Sequence, residues 1–170
     1  MSLTIGIALT VPEPWASQLQ QFRRQFGDPH ADQMPTHITI VPPNSVQLLD
    51  LPAIHDGLRQ AARTIQPFTL TLSGTDSFRP VSGVVFVDVV EGAQACTSLE
   101  MQVRERITAR PRMHPYRPHV TAAMDVPEDV LDHAQLMLAK YHATWLVEEV
   151  TLFQRDRLGY WHPDRSFVLG

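Results

Sequence analysis

Two short stretches of the sequence, PTHITI and RPHVTA, each place a histidine and a threonine two residues apart. In an extended strand, side chains at positions i and i+2 point to the same face. His37 would therefore share a face with Thr39, and His119 would share a face with Thr121. An imidazole can take up and release a proton near neutral pH, and a hydroxyl can donate a hydrogen bond to a charged oxygen. The pattern predicts proton transfer at an anionic centre such as a phosphate.

The residues around each pair favour a strand with one buried face. Pro35 and Pro118 lie just before the histidines, and a proline restricts the residue before it to extended backbone. Apolar residues alternate with the polar pair in both stretches, and we expect them in the core: Ile38, Ile40, Val120 and Ala122. A single His–Thr pair is usually a structural feature of a strand. Its duplication in the same context favours a catalytic role.

The composition is that of an ordinary globular chain of 170 residues, with 44% hydrophobic and 19% charged residues. The net charge of −4 argues against broad binding of duplex nucleic acid, which needs a basic face. Cys96 is the only cysteine, so neither a disulfide framework nor a cysteine metal cluster is expected. Residues 1–10 lack a signal-peptide pattern, and no apolar run could span a membrane. We expect a cytoplasmic monomer that does not bind membranes.

The spacing of apolar residues predicts strands and helices in a regular order. Strands are expected at residues 3–11, 68–78, 83–90 and 144–153, in addition to the two His–Thr strands, the first of which Pro42 and Pro43 would close. Helices are expected at residues 13–26, from a cap at Asp50 to about residue 65, and at residues 93–107 and 127–141. A final hairpin is expected from residues 157–161 and 166–169.

The predicted elements repeat. Strand, helix, His–Thr strand, helix and strand occur in residues 3–72 and again in residues 84–153, and an offset of 82 residues (119 − 37) carries one histidine onto the other. The repeat predicts a single bilobal domain over residues 1–170, with two similar lobes related by a pseudo-twofold axis. Elements can be exchanged between the lobes. The two His–Thr strands would then face each other across a cleft.

On these motifs, HITI and HVTA, the chain resembles the two-histidine (2H) phosphoesterase superfamily, which is defined by paired H-x-[ST]-x motifs in a bilobal fold. Within it, the sequence is most similar to the LigT-like branch, known as 2′-5′ RNA ligases or RNA 2′,3′-cyclic phosphodiesterases. The resemblance implies an α+β fold in which two antiparallel sheets line a central cleft and the helices pack outside. It also implies a substrate that is an RNA terminus or a small cyclic nucleotide.

The resemblance implies that His37 and His119 are an acid–base pair that opens a 2′,3′-cyclic phosphate to a 2′-phosphate. This outcome favours His119 as the base that activates water. The reverse reaction would join a 5′-hydroxyl to a cyclic end without ATP. Thr39 and Thr121 would bind the non-bridging phosphate oxygens, where negative charge increases in the transition state. We expect neither a metal nor another cofactor.

Two arginine–aromatic neighbours are further candidates for binding the substrate. Arg79 follows Phe78, and Arg117 follows Tyr116. Each arginine could bind a phosphate while the adjacent ring stacks on a base. The alternative is that each arginine is a solvated loop residue beside a half-buried aromatic ring.

Three functions remain open from the sequence. The first is the metal-independent opening of a cyclic phosphate, with ligation as its reverse. The second is cleavage of a linear 2′-5′ oligonucleotide or of ADP-ribose cyclic phosphate. The third is a non-catalytic domain that binds a nucleotide.

Overall fold

The computed structural model describes all residues from 1 to 170 and contains eight strands and four α-helices. The strands are β1 (Ser2–Thr10), β2 (His37–Gln47), β3 (Phe68–Ser77), β4 (Val84–Glu91), β5 (His119–Met124), β6 (His142–Val147), β7 (Glu149–Arg155) and β8 (Trp161–Val168). The helices are α1 (Trp15–Gln25), α2 (Leu51–Arg63), α3 (Ala93–Arg104) and α4 (Glu128–Met137). None of the four α-helices has both the length and the apolar character of a membrane-spanning segment.

The strands form two four-stranded sheets, which confirms the predicted fold class. The first sheet has the order β2-β1-β7-β8 and the second has the order β5-β4-β3-β6. Every strand pair is antiparallel. The two His–Thr strands, β2 and β5, are therefore edge strands of different sheets, and they lie against each other.

The chain crosses between the sheets twice. β3 follows α2 but joins the second sheet, where it pairs with β4 and β6. β7 returns to the first sheet and pairs with β1. The prediction of one strand over residues 144–153 was therefore wrong, because β6 and β7 are separate strands that meet at Glu148. The apolar pattern continues through this crossover, so it does not show where one strand ends.

Pro42 and Pro43 do not close β2, contrary to the prediction. The strand continues to Gln47, with irregular pairing between Ile5 opposite Asn44 and Ile7 opposite Val41. A proline has no N–H for a strand ladder, so it is tolerated at edges and bulges. Both conditions hold here, and the two prolines project from the edge as exposed side chains.

The final hairpin also differs from the prediction, because β8 is a full strand that pairs along β7. The turn before it is closed by the Asp156 carboxylate, which accepts hydrogen bonds from the backbone N–H groups of Leu158 and Tyr160, both at 2.9 Å. Gly159 supplies the positive φ of 92° that the turn requires. Because β8 is an exposed edge strand, its polar sequence gave no alternating signal.

A continuous core of 34 buried apolar residues joins both sheets and the four helices. Helices α2 and α3 pack against this core through Leu58 and Leu99, each with no exposed surface. Asp50 occupies the N-cap position of α2, as predicted, but its side chain makes no capping hydrogen bond. Helices α3 and α4 are shorter than predicted, ending at Arg104 and Met137. The shared core fixes the two edge strands relative to each other.

Gly92, which precedes α3, should not tolerate a side chain. Its φ is +86°, and a Cβ there would lie 2.7 Å from the carbonyl oxygen of Thr69. We expect Gly92→Ala to lower the free energy of unfolding by roughly 2–4 kcal/mol, combining left-handed strain with overpacking. Gly27→Ala is the control, because φ is +78° but nothing lies within 4 Å; it should cost about 1 kcal/mol. Equal losses in urea denaturation would contradict the steric argument.

Candidate active site

The two His–Thr pairs occupy equivalent positions on β2 and β5. In each strand the histidine and the threonine are half-buried, and the residue after each of them is fully buried. Ile38 and Val120, which separate the histidine from the threonine in each sequence, point to the opposite face and are buried in the core, as the alternation predicted. The edge strands therefore present one polar face each to the cleft between the sheets.

Each histidine makes the same contact with its own backbone. The Nδ1 atom of His37 lies 2.8 Å from the carbonyl oxygen of Pro35, and Nδ1 of His119 lies 2.8 Å from the carbonyl oxygen of Arg117. A carbonyl can only accept, so Nδ1 must carry the hydrogen in both rings. Nε2 has no partner within the protein in either case. The neutral rings thus hold a lone pair on Nε2, the atom that can exchange a proton with a ligand.

Both histidines favour the neutral form. Burial lowers the pKa of His37 to about 4 despite its hydrogen bond to the Pro35 carbonyl, and the charges of Arg23 and His119 lower it further. Burial also lowers the pKa of His119, and Arg117 acts in the same direction. The Arg117 carbonyl and Asp88 oppose that shift.

Two cavities meet at the His–Thr strands. The larger, about 840 Å³, is lined by His119, and the smaller, about 490 Å³, is lined by His37 and Thr121. Thr39 lines both, together with the shared wall of Val41, Pro42 and Pro43. Neither lining includes an aspartate or a glutamate, although the chain as a whole carries a net charge of −4. Both cavities therefore suit an anionic ligand.

Three of the four secondary candidates line the larger cavity. The Phe78 ring lies edge-on to His119 with 4.9 Å between centroids. The Tyr116 hydroxyl donates a hydrogen bond of 2.8 Å to the Thr39 carbonyl, and so connects the second sheet's loop to β2. Arg117 lies over the Phe86 ring, with 4.8 Å from its guanidinium carbon to the ring centroid.

Arg117 and Arg79 are both held by carboxylates. Arg117 forms ion pairs of 3.1 Å with Asp76 and Asp88, yet it remains exposed at the cavity. Arg79 lines neither cavity, because its guanidinium contacts Glu128 at 2.9 Å and Asp132 at 2.8 Å on α4. The structure thus separates Arg79 from the other candidates.

Sequence reasoning missed the charged group that holds the cavity loop. Glu100 is fully buried, and its Oε1 lies 2.6 Å from Nε of Arg104 and 3.1 Å from Nε of Arg112. Arg104 also donates a hydrogen bond to the Arg110 carbonyl. These three arginines all line the larger cavity. The arginine-rich loop was visible in the sequence, but a glutamate on a helix gives no sign that it is buried.

No group of three or more His, Cys, Asp or Glu side chains has the arrangement of a metal site.

Comparison with known proteins gives consistent results. The family model described as the 2′-5′ RNA ligase superfamily matches residues 11–159. A predicted phosphoesterase of Halalkalibacterium halodurans is 26% identical over 170 residues, covering 99% of this chain and 98% of the relative. The apo structure of E. coli LigT superposes with a TM-score of 0.74 at 20% identity, covering 99% of this chain and 98% of that one. LigT with 3′-AMP gives 0.73 at 19% identity, covering 99% of both. At these identities the structural likeness concerns the fold alone.

The lowered pKa of His37 makes folding depend on pH. Between its folded pKa of about 4 and the ordinary value of 6.5, the unfolded chain binds more protons, so stability falls as pH falls through this range. We expect His37→Ala to reduce the loss of unfolding free energy between pH 7 and pH 5 by roughly 1–2 kcal/mol, measured by urea denaturation. His142→Ala, at an exposed position, is the control, and it should lose as much unfolding free energy between pH 7 and pH 5 as the wild type. If His37→Ala lost as much unfolding free energy as the wild type over this range, the lowered pKa of His37 would be refuted.

Proposed function

The chain belongs to the 2′-5′ RNA ligase superfamily, and on that premise we propose that it is a phosphoesterase that opens a 2′,3′-cyclic phosphate to a 2′-phosphate. The observation that carries the proposal is the matched pair of histidines, each with Nδ1 donating to a carbonyl and Nε2 free. Ring opening needs one group to take a proton from water and another to give a proton to the departing ribose oxygen. Two neutral imidazoles with accessible Nε2 atoms suit these two roles once one of them is protonated.

The threonines complete the phosphate site. Thr39 lines both cavities and Thr121 lines the smaller one. A phosphate held between the two strands would accept a hydrogen bond from each hydroxyl on its non-bridging oxygens. Those oxygens gain negative charge as water adds to phosphorus, so the hydroxyls would stabilise the transition state more than the ground state.

The larger cavity suits the nucleoside. Phe78 and Tyr116 offer aromatic surface for a base, and arginines 104, 110, 112 and 117 line the cavity without any carboxylate in its lining. The E. coli relative has been solved with 3′-AMP, with ATP and with NADP⁺. We therefore propose an RNA terminus or a small nucleotide as the ligand. Arg79 is not part of this site, since α4 holds its guanidinium.

This placement of the nucleoside defines the roles of the histidines. A ribose in the larger cavity lies next to His119, so His119 would protonate the departing 3′-oxygen. Water must attack from the opposite side of phosphorus, where His37 lines the smaller cavity. The pKa of about 4 keeps His37 unprotonated at neutral pH, as a base requires. This proposal departs from the sequence resemblance, which favoured His119 as the base. With a 5′-hydroxyl in place of water, the same two groups would open the cyclic phosphate, breaking the bond from phosphorus to the 3′-oxygen and forming a 2′-5′ linkage.

Removing either imidazole should abolish most of the activity. We expect His37→Ala and His119→Ala each to lower kcat on 2′,3′-cyclic AMP by 10²–10⁴-fold, the usual contribution of a general acid or base. The assay contains EDTA, and His142→Ala is the matched control that should retain wild-type turnover. Wild-type turnover in either cleft variant would refute the acid–base pair. Nucleotide binding without turnover by the wild type would instead indicate a non-catalytic domain.

In the profile of kcat/KM against pH, the acidic limb and the alkaline limb should both lie below the ordinary histidine pKa. The rate falls as His37 is protonated near pH 4, and it falls again as His119 loses its proton at a pH below 6.5. The optimum of the free enzyme is thus expected between about pH 4 and 6.5. In the residual activity of His37→Ala, the acidic limb should disappear while the alkaline limb stays. Loss of the alkaline limb instead would reverse the two roles.

A further inference from the structure

A buried cation on helix α1 reaches the smaller cavity. Arg23 is only 7% exposed, yet it lines this cavity beside the groups proposed to act on phosphate: His37, Thr39 and Thr121. Of all the arginines that line the two cavities, it is the only one that is buried. Its positive charge also acts on His37, whose pKa it lowers. A buried charge needs partners, so the contacts of Arg23 define what it can bind.

The Asp28 carboxylate holds the Arg23 guanidinium in place. The Asp28 side chain has no exposed surface, and its Oδ2 accepts a hydrogen bond of 2.8 Å from Nε of Arg23. The same carboxylate accepts hydrogen bonds from the backbone N–H groups of His30, at 2.8 Å, and Met124, at 3.1 Å. Both carboxylate oxygens are therefore engaged. Because Met124 ends β5, this carboxylate also fixes α1 against the strand that carries Thr121.

The terminal amino groups of Arg23 have no acceptor within the protein, since Nε–H donates the one hydrogen bond of this side chain. The fully enclosed side-chain atoms that lack a partner belong to Glu100 and Arg104. The terminal nitrogens of Arg23 are therefore in contact with solvent, and the opening beside this residue is the smaller cavity. A guanidinium presents its N–H donors as a planar fork that matches the oxygens of a phosphate. Donors left free on a nearly buried guanidinium suit an anion in this cavity.

We propose that Arg23 is a further phosphate-binding residue, whose terminal amino groups donate hydrogen bonds to a non-bridging oxygen of the reacting phosphate. The inference rests on the proposed function, which places that phosphate between Thr39 and Thr121. The two threonine hydroxyls are neutral donors, so Arg23 supplies the positive charge at this oxygen. That charge stabilises the transition state as water adds to phosphorus and the oxygen becomes more negative.

The test measures the binding of adenosine 2′-monophosphate by calorimetric titration, so it does not depend on turnover. Arg23→Gln should raise the Kd about tenfold or more, the usual loss for a hydrogen bond to a charged group. Asp28→Asn breaks the same buried ion pair but leaves the positive charge in the cavity, so it should change the Kd less than about threefold. Arg24→Gln is the control, because Arg24 is exposed on the same helix and pairs with Asp32; it should bind as the wild type does.

Arg23→Lys supplies a second variant in case Arg23→Gln does not fold. It keeps a cation beside Asp28 but lacks the planar fork, so it should raise the Kd about fivefold and lower kcat on 2′,3′-cyclic AMP about tenfold. Three outcomes would overturn the proposal: no binding of the 2′-nucleotide by the wild type at millimolar concentration, a wild-type Kd in either Arg23 variant, or equal losses of affinity in Arg23→Gln and Asp28→Asn, which a purely structural ion pair would give. Failure of the proposed function would appear separately, as absence of cyclic phosphate hydrolysis by a wild type that binds the nucleotide through Arg23.

Discussion

The hydrogen bond from Nδ1 of each histidine to the carbonyl oxygen two residues earlier determines what the cleft can do. Without it, either ring nitrogen could carry the hydrogen and the ring could rotate. With it, His37 and His119 are fixed as the same tautomer and in the same orientation relative to their strands.

The two edge strands stay opposed because the sheets exchange strands. In the second sheet β3 comes from the first half of the chain, and in the first sheet β7 comes from the second half. We propose that residues 3–72 and 84–153 are two copies of one unit whose last strands were exchanged, within a single bilobal domain. Neither half then has a complete sheet of its own. The common core makes the width of the cleft a property of the whole fold, which suits a site built from both halves.

Local spacing was sufficient to predict the motif strands and the buried helix faces, because these depend on periods of two and 3.6 residues. It could not predict sheet membership, which is why the crossover at Glu148 was missed. It also failed where a strand has no buried face, as in β8, and where an ion pair is formed between distant segments. Arg79 and Arg117 look alike in the sequence, yet α4 holds one while the other reaches the cavity. Trp161 lines the smaller cavity, whereas core packing is the more usual expectation for a tryptophan in a strand.

The two exposed prolines of β2 also bear on how the protein meets other chains. A free strand edge offers unpaired N–H and C=O groups to any extended polypeptide, and such pairing leads to association or fibre growth. Pro42 and Pro43 remove two donors in succession at the mouth of the cleft, where the edge would otherwise be open. The same residues that shape the wall between the cavities thus make the edge of β2 a poor template for another strand.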